Sequence, residues 1–347
     1  MTKTTPDQLL RTTKTVLASA ALFFVGTVAQ ADGIRVTNMG GSFGEAKTLT
    51  AWEPISQKLN ITIEPDTYSG LIDVRTQAKS GSSPWDLGEL TVDECAIASK
   101  EGLLEPLNLT TDQLDGYPEE AYRGDYVLTS TASYVPVWQN NLPGLSSWAD
   151  FWDVQRFPGT RALRDNPMEN LPAALIADGV PLDQIYPLDV DRAFRKLEEI
   201  KPHITTWWAS GAQSIQLLAS GDIDYAGGWT TRVGALIEEG GYVSYTLNNG
   251  ILIPNCAFIP KGSKNVDIAR QVLVESLSVE IIKELPKHIN SSPVNQNVFK
   301  PGVLPDEVVA TQAASPDNLK LQVMTDGEWW AENGVEVMER WQEFKSR

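Results

Sequence analysis

Apolar runs of strand length alternate along this chain with amphipathic segments of helical period. Residues 34–39, 61–64 and 85–90 are predicted to be strands, and residues 71–79 and 92–101 to be helices. Repeated units of a strand and a helix are typical of α/β proteins, in which helices cover a largely parallel sheet. The chain is therefore predicted to adopt an α/β fold.

The same alternation begins again after a Pro-, Gly- and Asn-rich patch at residues 140–144. Beyond this patch, strands are predicted near residues 160–164 and 224–229, and amphipathic helices near residues 189–200 and 329–344. A chain of 347 residues is long enough for two domains, each with its own hydrophobic core.

The N-terminus has the composition of a cleavable signal peptide. A basic start is followed by a mainly apolar stretch at residues 16–28 and by an Ala-x-Ala cleavage site at residues 29–31. An uncleaved membrane anchor is the alternative, but an anchor needs about 20 apolar residues and this stretch is shorter. We predict that residues 1–31 are removed and that the mature protein is periplasmic.

Acidic side chains outnumber basic ones, 45 to 28, which gives a formal net charge of −17 at pH 7. Such a surface repels the phosphates of nucleic acids and the head groups of anionic lipids. Nucleic acid is therefore excluded as a partner, and a small solute is favoured.

Cys95 and Cys256 are the only cysteines of the chain. An exported protein enters an oxidising compartment in which the two can form a disulfide, but nothing in their spacing indicates that they meet. A single bridge and two buried free thiols therefore both remain open.

The sequence has no pattern typical of a metal site or of a catalytic centre. His203 and His288 are the only histidines, and no Cys-x-x-Cys or His-Glu-x-x-His spacing is present. Neither histidine belongs to a nucleophile motif, and Asp222 and Asp224 bracket a turn rather than forming an acid–base pair. We predict no metal, no cofactor and no enzymatic activity.

Four predicted strand ends carry loops of small, polar or aromatic residues, at positions 40–44, 68–70, 91–93 and 229–232. In an open α/β sheet, ligands bind beyond the carboxyl ends of the strands, where helix N-termini present free N–H groups. The candidate ligand-binding residues in these loops are Gly41, Ser42, Phe43, Tyr68, Ser69, Asp93, Thr230 and Arg232. Arg232 is expected either to hold a carboxylate or to cap a neighbouring element.

Eleven tryptophans are many for a chain of this length. Their apolar neighbourhoods predict core positions for Trp52, Trp148, Trp152, Trp207 and Trp341. Two others stand apart: Trp138 lies where the first half passes into the second, and Trp229 follows a strand and precedes Thr-Thr-Arg. Trp138 and Trp229 are therefore candidate ligand contacts, because an indole can stack on an amine or on an apolar solute.

Several segments, in their order, resemble one known family. They are Gly-Gly-Ser-Phe at 40–43, SGSSPWDLGEL at 80–90, EGLLEPLN at 101–108, SGDIDYAGGWTTR at 220–232 and FIPKGSKN at 258–265. Together they cover nearly the whole mature chain. The chain resembles the extracellular solute-binding proteins of the polyamine-type ABC importers, the relatives of spermidine- and putrescine-binding proteins.

The resemblance implies a two-lobe periplasmic binding protein fold of type II, with the ligand cleft between the lobes. Hinge crossovers are expected near residues 134–139 and 251–258. The lobe bounds implied are 32–136 for the first part of lobe 1, 137–252 for lobe 2, 253–305 for the return to lobe 1, and 306–347 for a C-terminal helical segment packed on lobe 2.

The resemblance also implies further ligand-binding residues. Trp229 matches a tryptophan that the family retains, and Glu169 keeps an acid. Asn166 and Asn255 occupy positions at which polyamine-binding members hold ammonium groups with acidic side chains. An amide offers only a neutral contact, and Arg232 adds a positive charge, so a dicationic polyamine competes here with a smaller amine or zwitterion, such as an amino-acid derivative or an opine-like compound.

The predicted function is that of a monomeric periplasmic receptor that closes on a small amine-containing solute and delivers it to an ABC permease in the inner membrane. Closure requires the solute to contact both lobes, since a ligand shifts an equilibrium only by its differential affinity. A secreted two-lobe hydrolase or transferase is the alternative, and a receptor that feeds a chemoreceptor is a third reading.

Overall fold

A computed structural model describes residues 33–347 of the protein. The predicted signal peptide, residues 1–31, lies outside the described residues. The elements up to the middle of the chain are β1 (Gly33–Asn38), α1 (Gly41–Lys47), α2 (Glu53–Leu59), β2 (Thr62–Thr67), α3 (Leu71–Ser80), β3 (Leu87–Thr91), α4 (Val92–Lys100), β4 (Leu104–Glu105), β5 (Tyr126–Gln139), α5 (Trp148–Trp152), β6 (Arg161–Arg164) and α6 (Pro167–Ala177).

The remaining elements are α7 (Val190–Ile200), β7 (Ile204–Trp208), α8 (Gly211–Ala219), β8 (Tyr225–Trp229), α9 (Thr230–Glu238), β9 (Val243–Tyr245), β10 (Ile251–Pro260), α10 (Val266–Leu277), α11 (Val279–Ile282), β11 (Ser292–Pro293), α12 (Asp306–Thr311), α13 (Pro316–Leu319), β12 (Val323–Met324) and α14 (Gly327–Ser346). A π-helical segment, Thr48–Trp52, joins α1 to α2. Within residues 33–347, no helix has both the length and the hydropathy needed to cross a membrane.

The main sheet runs in the order β2-β1-β3-β10-β5-β8-β6-β7. At one end β1 pairs in parallel with β2 and β3, and at the other β6 pairs in parallel with β7 and β8. Between these two blocks lie β10 and β5, each antiparallel to its neighbours. The α/β prediction is confirmed, since helices follow the parallel strands of both blocks.

The long strands β5 and β10 pair with each other and contain the segments predicted as crossovers. Their register pairs Ile251 with Tyr134 at one end and Phe258 with Tyr126 at the other, with a bulge next to Asn255. The two strands contribute side chains to both of the cores described below. They are therefore the two connections through which the chain passes from one core to the other and back.

The buried side chains form two main groups. One group takes its members from residues 34–128 and 256–294, and we call this part the first lobe. The other takes its members from residues 134–253 and 323–344, and we call it the second lobe. The predicted lobe bounds at 136/137 and 252/253 fall inside β5 and β10.

The second-lobe core is rich in aromatic side chains. Trp148, Trp152 and Trp341 are buried in it and Trp207 packs against it, while Trp52 is buried in the first lobe. Their burial agrees with the core positions predicted for these five tryptophans. Truncation of such a side chain to Ala typically costs about 3–5 kcal/mol of stability.

Helix α14 contacts both lobes. Near its start, the hydroxyl of Tyr126 in the first lobe donates a hydrogen bond to Glu328 (3.1 Å). Near its end, Trp341 and Phe344 belong to the second-lobe core, and the indole of Trp341 donates to Asp165 (2.8 Å). The last helix thus spans the two lobes in addition to β5 and β10.

Cys95 of α4 and Cys256 of β10 form a disulfide, with their Cα atoms 6.6 Å apart. Of the two alternatives left open by the sequence, the structure has the bridge. The bond closes a loop of 161 residues that includes most of the second lobe. A cross-link over a loop of that length is expected to stabilise the folded state by about 5 kcal/mol, through the entropy that it removes from the unfolded chain.

Candidate ligand-binding cleft

A cavity of about 410 Å³ lies between the two lobes, where β1, β3, β6 and β8 end. Met39, Thr91, Arg164 and Trp229 line it from the ends of these strands. This is the position at which open α/β sheets bind ligands, because the helices that follow the strands point their N-termini toward the cavity.

Eight of the residues predicted from the sequence line the cavity. They are Ser42, Phe43, Asp93, Asn166, Glu169, Trp229, Arg232 and Asn255. Five other candidates, Gly41, Tyr68, Ser69, Trp138 and Thr230, are not among the lining residues.

Two of the displaced candidates belong to the second lobe. Trp138 lies on β5 opposite Tyr225, and its indole packs over Gly144, where an added Cβ would lie 3.2 Å from the ring. Thr230 is buried, and its hydroxyl accepts a hydrogen bond from the backbone N–H of Ser133 (3.1 Å). The next residue along, Thr231, lines the cavity instead. In the structure, these two side chains pack or hydrogen-bond away from the lining of the cavity.

The other three displaced candidates lie in the first lobe. The hydroxyl of Tyr68 donates to the carbonyl of Glu89 (2.6 Å), and burial raises the pKa of this phenol well above its usual range. Ser69 is exposed, and its backbone N–H donates to Asp73 (2.6 Å). Gly41 has a φ of +63°, which favours glycine, so it shapes the turn beside the cavity without lining it.

One wall of the cavity is built where β6 passes into α6. Asn166 is the N-cap of α6, because its side-chain oxygen accepts the backbone N–H of Met168 (2.9 Å). Glu169 occupies the third helical position, where an acid commonly turns back to complete a capping box. Here its carboxylate instead forms an ion pair with Arg164.

This ion pair is part of a packed cluster. The side chain of Glu169 is 0% exposed, and the guanidinium of Arg164 stacks on the ring of Trp229, 4.5 Å from its centroid. Burial raises the pKa of Glu169, and the neighbouring Arg164 opposes that rise. One face of Trp229 is thus occupied by Arg164, so a solute that stacks on this indole must use what remains of the ring.

Arg232 of α9 is the second guanidinium on the second-lobe wall. It reaches across the cavity, and its Nη1 donates to the hydroxyl of Ser42 in the first lobe (3.4 Å). Its aliphatic stem and Nε pack against Gly211, where an added Cβ would lie 3.2 Å from the Nε. Among residues 33–347, no carboxylate forms an ion pair with Arg232.

The facing wall, in the first lobe, carries two carboxylates at the start of α4. Glu94 accepts hydrogen bonds from the backbone N–H of Leu71 (3.1 Å) and from the hydroxyl of Thr91 (3.2 Å). Burial raises the pKa of Glu94, and the adjacent Asp93 raises it further. The Oδ1 atom of Asp93 is buried without a hydrogen-bond partner in the described part of the chain. Among the described first-lobe residues that line the cavity, none is a lysine or an arginine, so this wall is acidic.

The floor of the cavity comes from the hinge strands and from the segment before β11. Asn255 lies at the bulge of β10 and donates to the hydroxyl of Ser130 (3.4 Å), while Ile253 and Ala132 supply apolar surface. Ser291 lines the cavity, and its hydroxyl is buried without a hydrogen-bond partner in the described residues.

Sequence reasoning missed Arg164, Glu94 and Ser291 as lining residues. A search of every predicted strand end would have found Arg164, because it is the last residue of β6, and Glu94 directly follows the candidate Asp93. Ser291 lies in a segment whose sequence has no pattern that points to the cleft.

The residues of the cleft do not form a metal centre. Across the described range, no group of three or more His, Cys, Asp or Glu side chains is placed to hold an ion. The geometry places the guanidinium of Arg232 and the ion pair of Arg164 with Glu169 on the second-lobe wall, and the carboxylates of Asp93 and Glu94 on the first-lobe wall. A molecule that carries an ammonium and a carboxylate can satisfy both walls at once.

Residues 51–315 match the family of bacterial extracellular solute-binding proteins. The matched region is more than half of the chain, so the protein belongs to this family. The solved relatives are two-lobe periplasmic binding proteins, which confirms the fold class predicted from the sequence.

Three relatives stand out among known proteins. A gamma-aminobutyric acid-binding protein of Pseudomonas aeruginosa PAO1 is 28% identical over 339 residues, which cover 94% of each chain. An ABC transporter substrate-binding protein from Bradyrhizobium japonicum USDA 110 is 38% identical, with a TM-score of 0.86 over 90% of this chain and 99% of that one. The PBP MotA from A. tumefaciens B6, solved in complex with glucopine, is 31% identical, with a TM-score of 0.80 over 90% of this chain and 99% of that one.

These relatives confirm the predicted class, the substrate-binding component of an ABC transporter. None of the three is named for a polyamine, so the polyamine-type specificity implied by the sequence resemblance is not supported.

Proposed function

We propose that this protein is the periplasmic receptor of an ABC importer for a small zwitterionic amine, such as an ω-amino acid or a related amino-acid derivative. The observation that carries the proposal is the placement of the unpaired charges. Arg232 on the second-lobe wall has no carboxylate partner, and Asp93 and Glu94 on the first-lobe wall have no cation partner, within the described residues. A ligand that bridges the cleft supplies both missing partners.

Two of the relatives support this class of solute. One is named for gamma-aminobutyric acid, and another was solved with glucopine. A polyamine fits the same walls poorly, because it has no carboxylate for Arg232 and would bring a further positive charge close to that guanidinium.

Binding of both charged ends gives a physical reason for closure. The ammonium contacts the first lobe and the carboxylate contacts the second, so the ligand makes its full set of contacts only when the walls approach each other. Such a ligand has differential affinity for the closed state and shifts the equilibrium toward it. In this proposal the closed monomer then presents the solute to the permease, and the solute is released unchanged.

The experiment is a thermal-shift and calorimetric screen of protein stripped of endogenous solute. The panel contains 4-aminobutanoate, 5-aminopentanoate, α-amino acids, an opine, putrescine and spermidine. A cognate zwitterion should stabilise the fold by about 2.7 kcal/mol at a hundredfold excess over its Kd. Stabilisation by putrescine or spermidine alone would contradict the zwitterion. Recovery of a chemically altered solute after incubation would contradict a pure binding role.

The periplasmic location is tested separately. The predicted leader, residues 1–31, should be absent from protein recovered from the periplasm, so that N-terminal sequencing begins at Asp32. Retention of the leader on membrane-bound protein would contradict this part of the proposal.

A further inference from the structure

The second-lobe wall holds two guanidiniums but only one carboxylate. Arg164 and Arg232 both line the cavity, and Glu169 forms an ion pair with Arg164. The side chain of Arg164 is 23% exposed, so a ligand in the cavity can reach it. Among the described residues, this wall therefore contains one guanidinium that is ion-paired with Glu169 and one, Arg232, that has no carboxylate partner.

The cluster fixes this arrangement. Glu169 is held in the first turn of α6, whose N-cap is Asn166, and its side chain is fully buried. The guanidinium of Arg164 is fixed from a second direction by its stack on Trp229. Because the carboxylate is shielded from water, its charge acts on Arg164 and on the cavity with little screening. A second anion that approached Arg164 would meet a guanidinium already paired and a buried negative charge behind it.

We propose that Glu169 is a specificity-determining residue: by neutralising Arg164, it restricts the cleft to amines that carry a single carboxylate and excludes their dicarboxylate counterparts. This inference rests on the proposed function, in which Arg232 receives the ligand carboxylate. The inference explains why a wall with two guanidiniums would bind only one carboxylate of a ligand.

The test compares amino acids that differ by one carboxylate. Three pairs with matched chain length serve as probes: β-alanine with aspartate, 4-aminobutanoate with glutamate, and 5-aminopentanoate with 2-aminoadipate. Calorimetry gives the ratio of the two Kd values for each pair, in the wild type and in Glu169→Gln. We expect the wild type to prefer the monocarboxylate, and Glu169→Gln to shift the ratio at least tenfold toward the dicarboxylate in the pair that fits the cavity.

Two control variants separate selectivity from simple damage to the wall. The double variant Arg164→Met/Glu169→Met removes the buried pair as a unit, a change that proteins often tolerate. It also removes the second guanidinium, so its ratio should stay on the monocarboxylate side, as in the wild type. Glu280→Gln removes one negative charge at a side chain that is 82% exposed, and its ratio should not move. Thermal denaturation establishes that each variant is folded.

The outcomes distinguish this inference from the function on which it rests. If the wild type binds none of the six compounds and none of the other zwitterions of the screen described above, the proposed solute class is wrong. If the wild type binds monocarboxylates but Glu169→Gln leaves every ratio unchanged, or if the double variant shifts as far as the single one, Glu169 does not set the selectivity.

Discussion

At the scale of single residues, the cleft is defined by which charges have partners and which do not. Arg164 and Glu169 form an ion pair through one carboxylate oxygen, and the Oε2 of Glu169 is buried without a hydrogen-bond partner in the described residues. Arg232 instead makes a hydrogen bond to the hydroxyl of Ser42. The two guanidiniums therefore differ as ligand contacts, because only one of them already has a carboxylate partner. Arg232 is the one that a carboxylate can bind without first breaking an ion pair.

Replacing Arg232 should weaken the binding of zwitterions but not the binding of amines that have no carboxylate. We expect Arg232→Gln to lower the affinity for the cognate amino acid at least tenfold, because a charge-assisted bidentate contact becomes a neutral one. Affinity for an amine without a carboxylate should be unchanged or improved. Calorimetry measures both, with Arg35→Gln, an exposed first-lobe arginine, as the control for charge. Equal weakening of both ligands would contradict the assignment of Arg232 to the carboxylate.

The acidic wall should make binding depend on pH. Glu94 has a pKa raised above its ordinary 4.5, chiefly by burial and further by Asp93. A raised carboxyl pKa means that the folded protein holds this proton to higher pH than the unfolded chain does, so Glu94 lowers stability as the pH rises from 4.5 through its folded pKa. An ammonium ligand reverses the effect, because it favours the ionised carboxylate.

Affinity for the cognate amine is therefore expected to fall as the pH is lowered from 7 toward 4.5, with proton release on binding in that range. Glu94→Gln should flatten this profile and bind more weakly at pH 7. Calorimetry in buffers of different ionisation enthalpy measures the released protons. If Glu94→Gln shows the same pH dependence of affinity as the wild type, Glu94 does not interact with the ammonium of the ligand.

At the scale of elements, a buried ion pair ties α1 to β3 beneath the first-lobe wall. The Nζ of Lys47 lies 3.0 Å from the carboxylate of Glu89, and these side chains are only 6% and 3% exposed. The ammonium of Lys47 also lies over the ring of Trp52, 4.8 Å from its centroid. The pair links α1, the helix whose first turn contains Ser42, to the strand that ends beside Asp93.

Replacing one member of the pair should lower the stability of the fold more than replacing both. Lys47→Met leaves the carboxylate of Glu89 buried without a cation, which typically costs about 3–5 kcal/mol, whereas the double variant Lys47→Met/Glu89→Leu should recover much of the loss. Urea denaturation of the wild type, both single variants and the double variant closes the cycle. Additive losses in the double variant would show that the two charges act independently.

The sequence predicts these elements well where the apolar period is clear and less well at the hinge. The helix predicted at residues 189–200 is observed at Val190–Ile200, because its apolar side chains recur with helical period. β5 runs unbroken for 14 residues. It is buried on both faces and passes through both cores, so it lacks the alternation by which a half-buried strand is recognised.

For the candidate site, the positions of the loops could be predicted from the sequence, but the directions of their side chains could not. Loop positions after strands were predictable from the rule that strand ends carry ligands, and Ser42, Asp93, Trp229 and Arg232 follow it. Whether a side chain in such a loop turns outward or inward is set by packing that the sequence does not display. The hydroxyl of Thr230, for example, accepts a hydrogen bond from the backbone of Ser133, and the neighbouring Thr231 lines the cavity instead.

At the scale of the whole molecule, three elements within residues 33–347 cross between the lobes: β5, β10 and α14. The two strands pair along most of their length, and the bulge next to Asn255 lies beside the cleft, where a change of backbone direction would move one wall relative to the other. The disulfide attaches α4, with Asp93 at its start, to β10 next to that bulge. The acidic wall should therefore move as a body with the first lobe.

Closure should require both charged ends of the ligand. We expect 4-aminobutanoate, or whichever ω-amino acid binds most tightly, to reduce the radius of gyration in small-angle X-ray scattering, because it contacts both walls. Butylamine and butanoate each carry one of the two charges, so neither has strong differential affinity for the closed state. At saturation, each should leave the radius near its ligand-free value. If butylamine alone compacts the protein as far as the amino acid does, the carboxylate contact at Arg232 does not drive closure, and the lobes must be drawn together from the acidic wall alone.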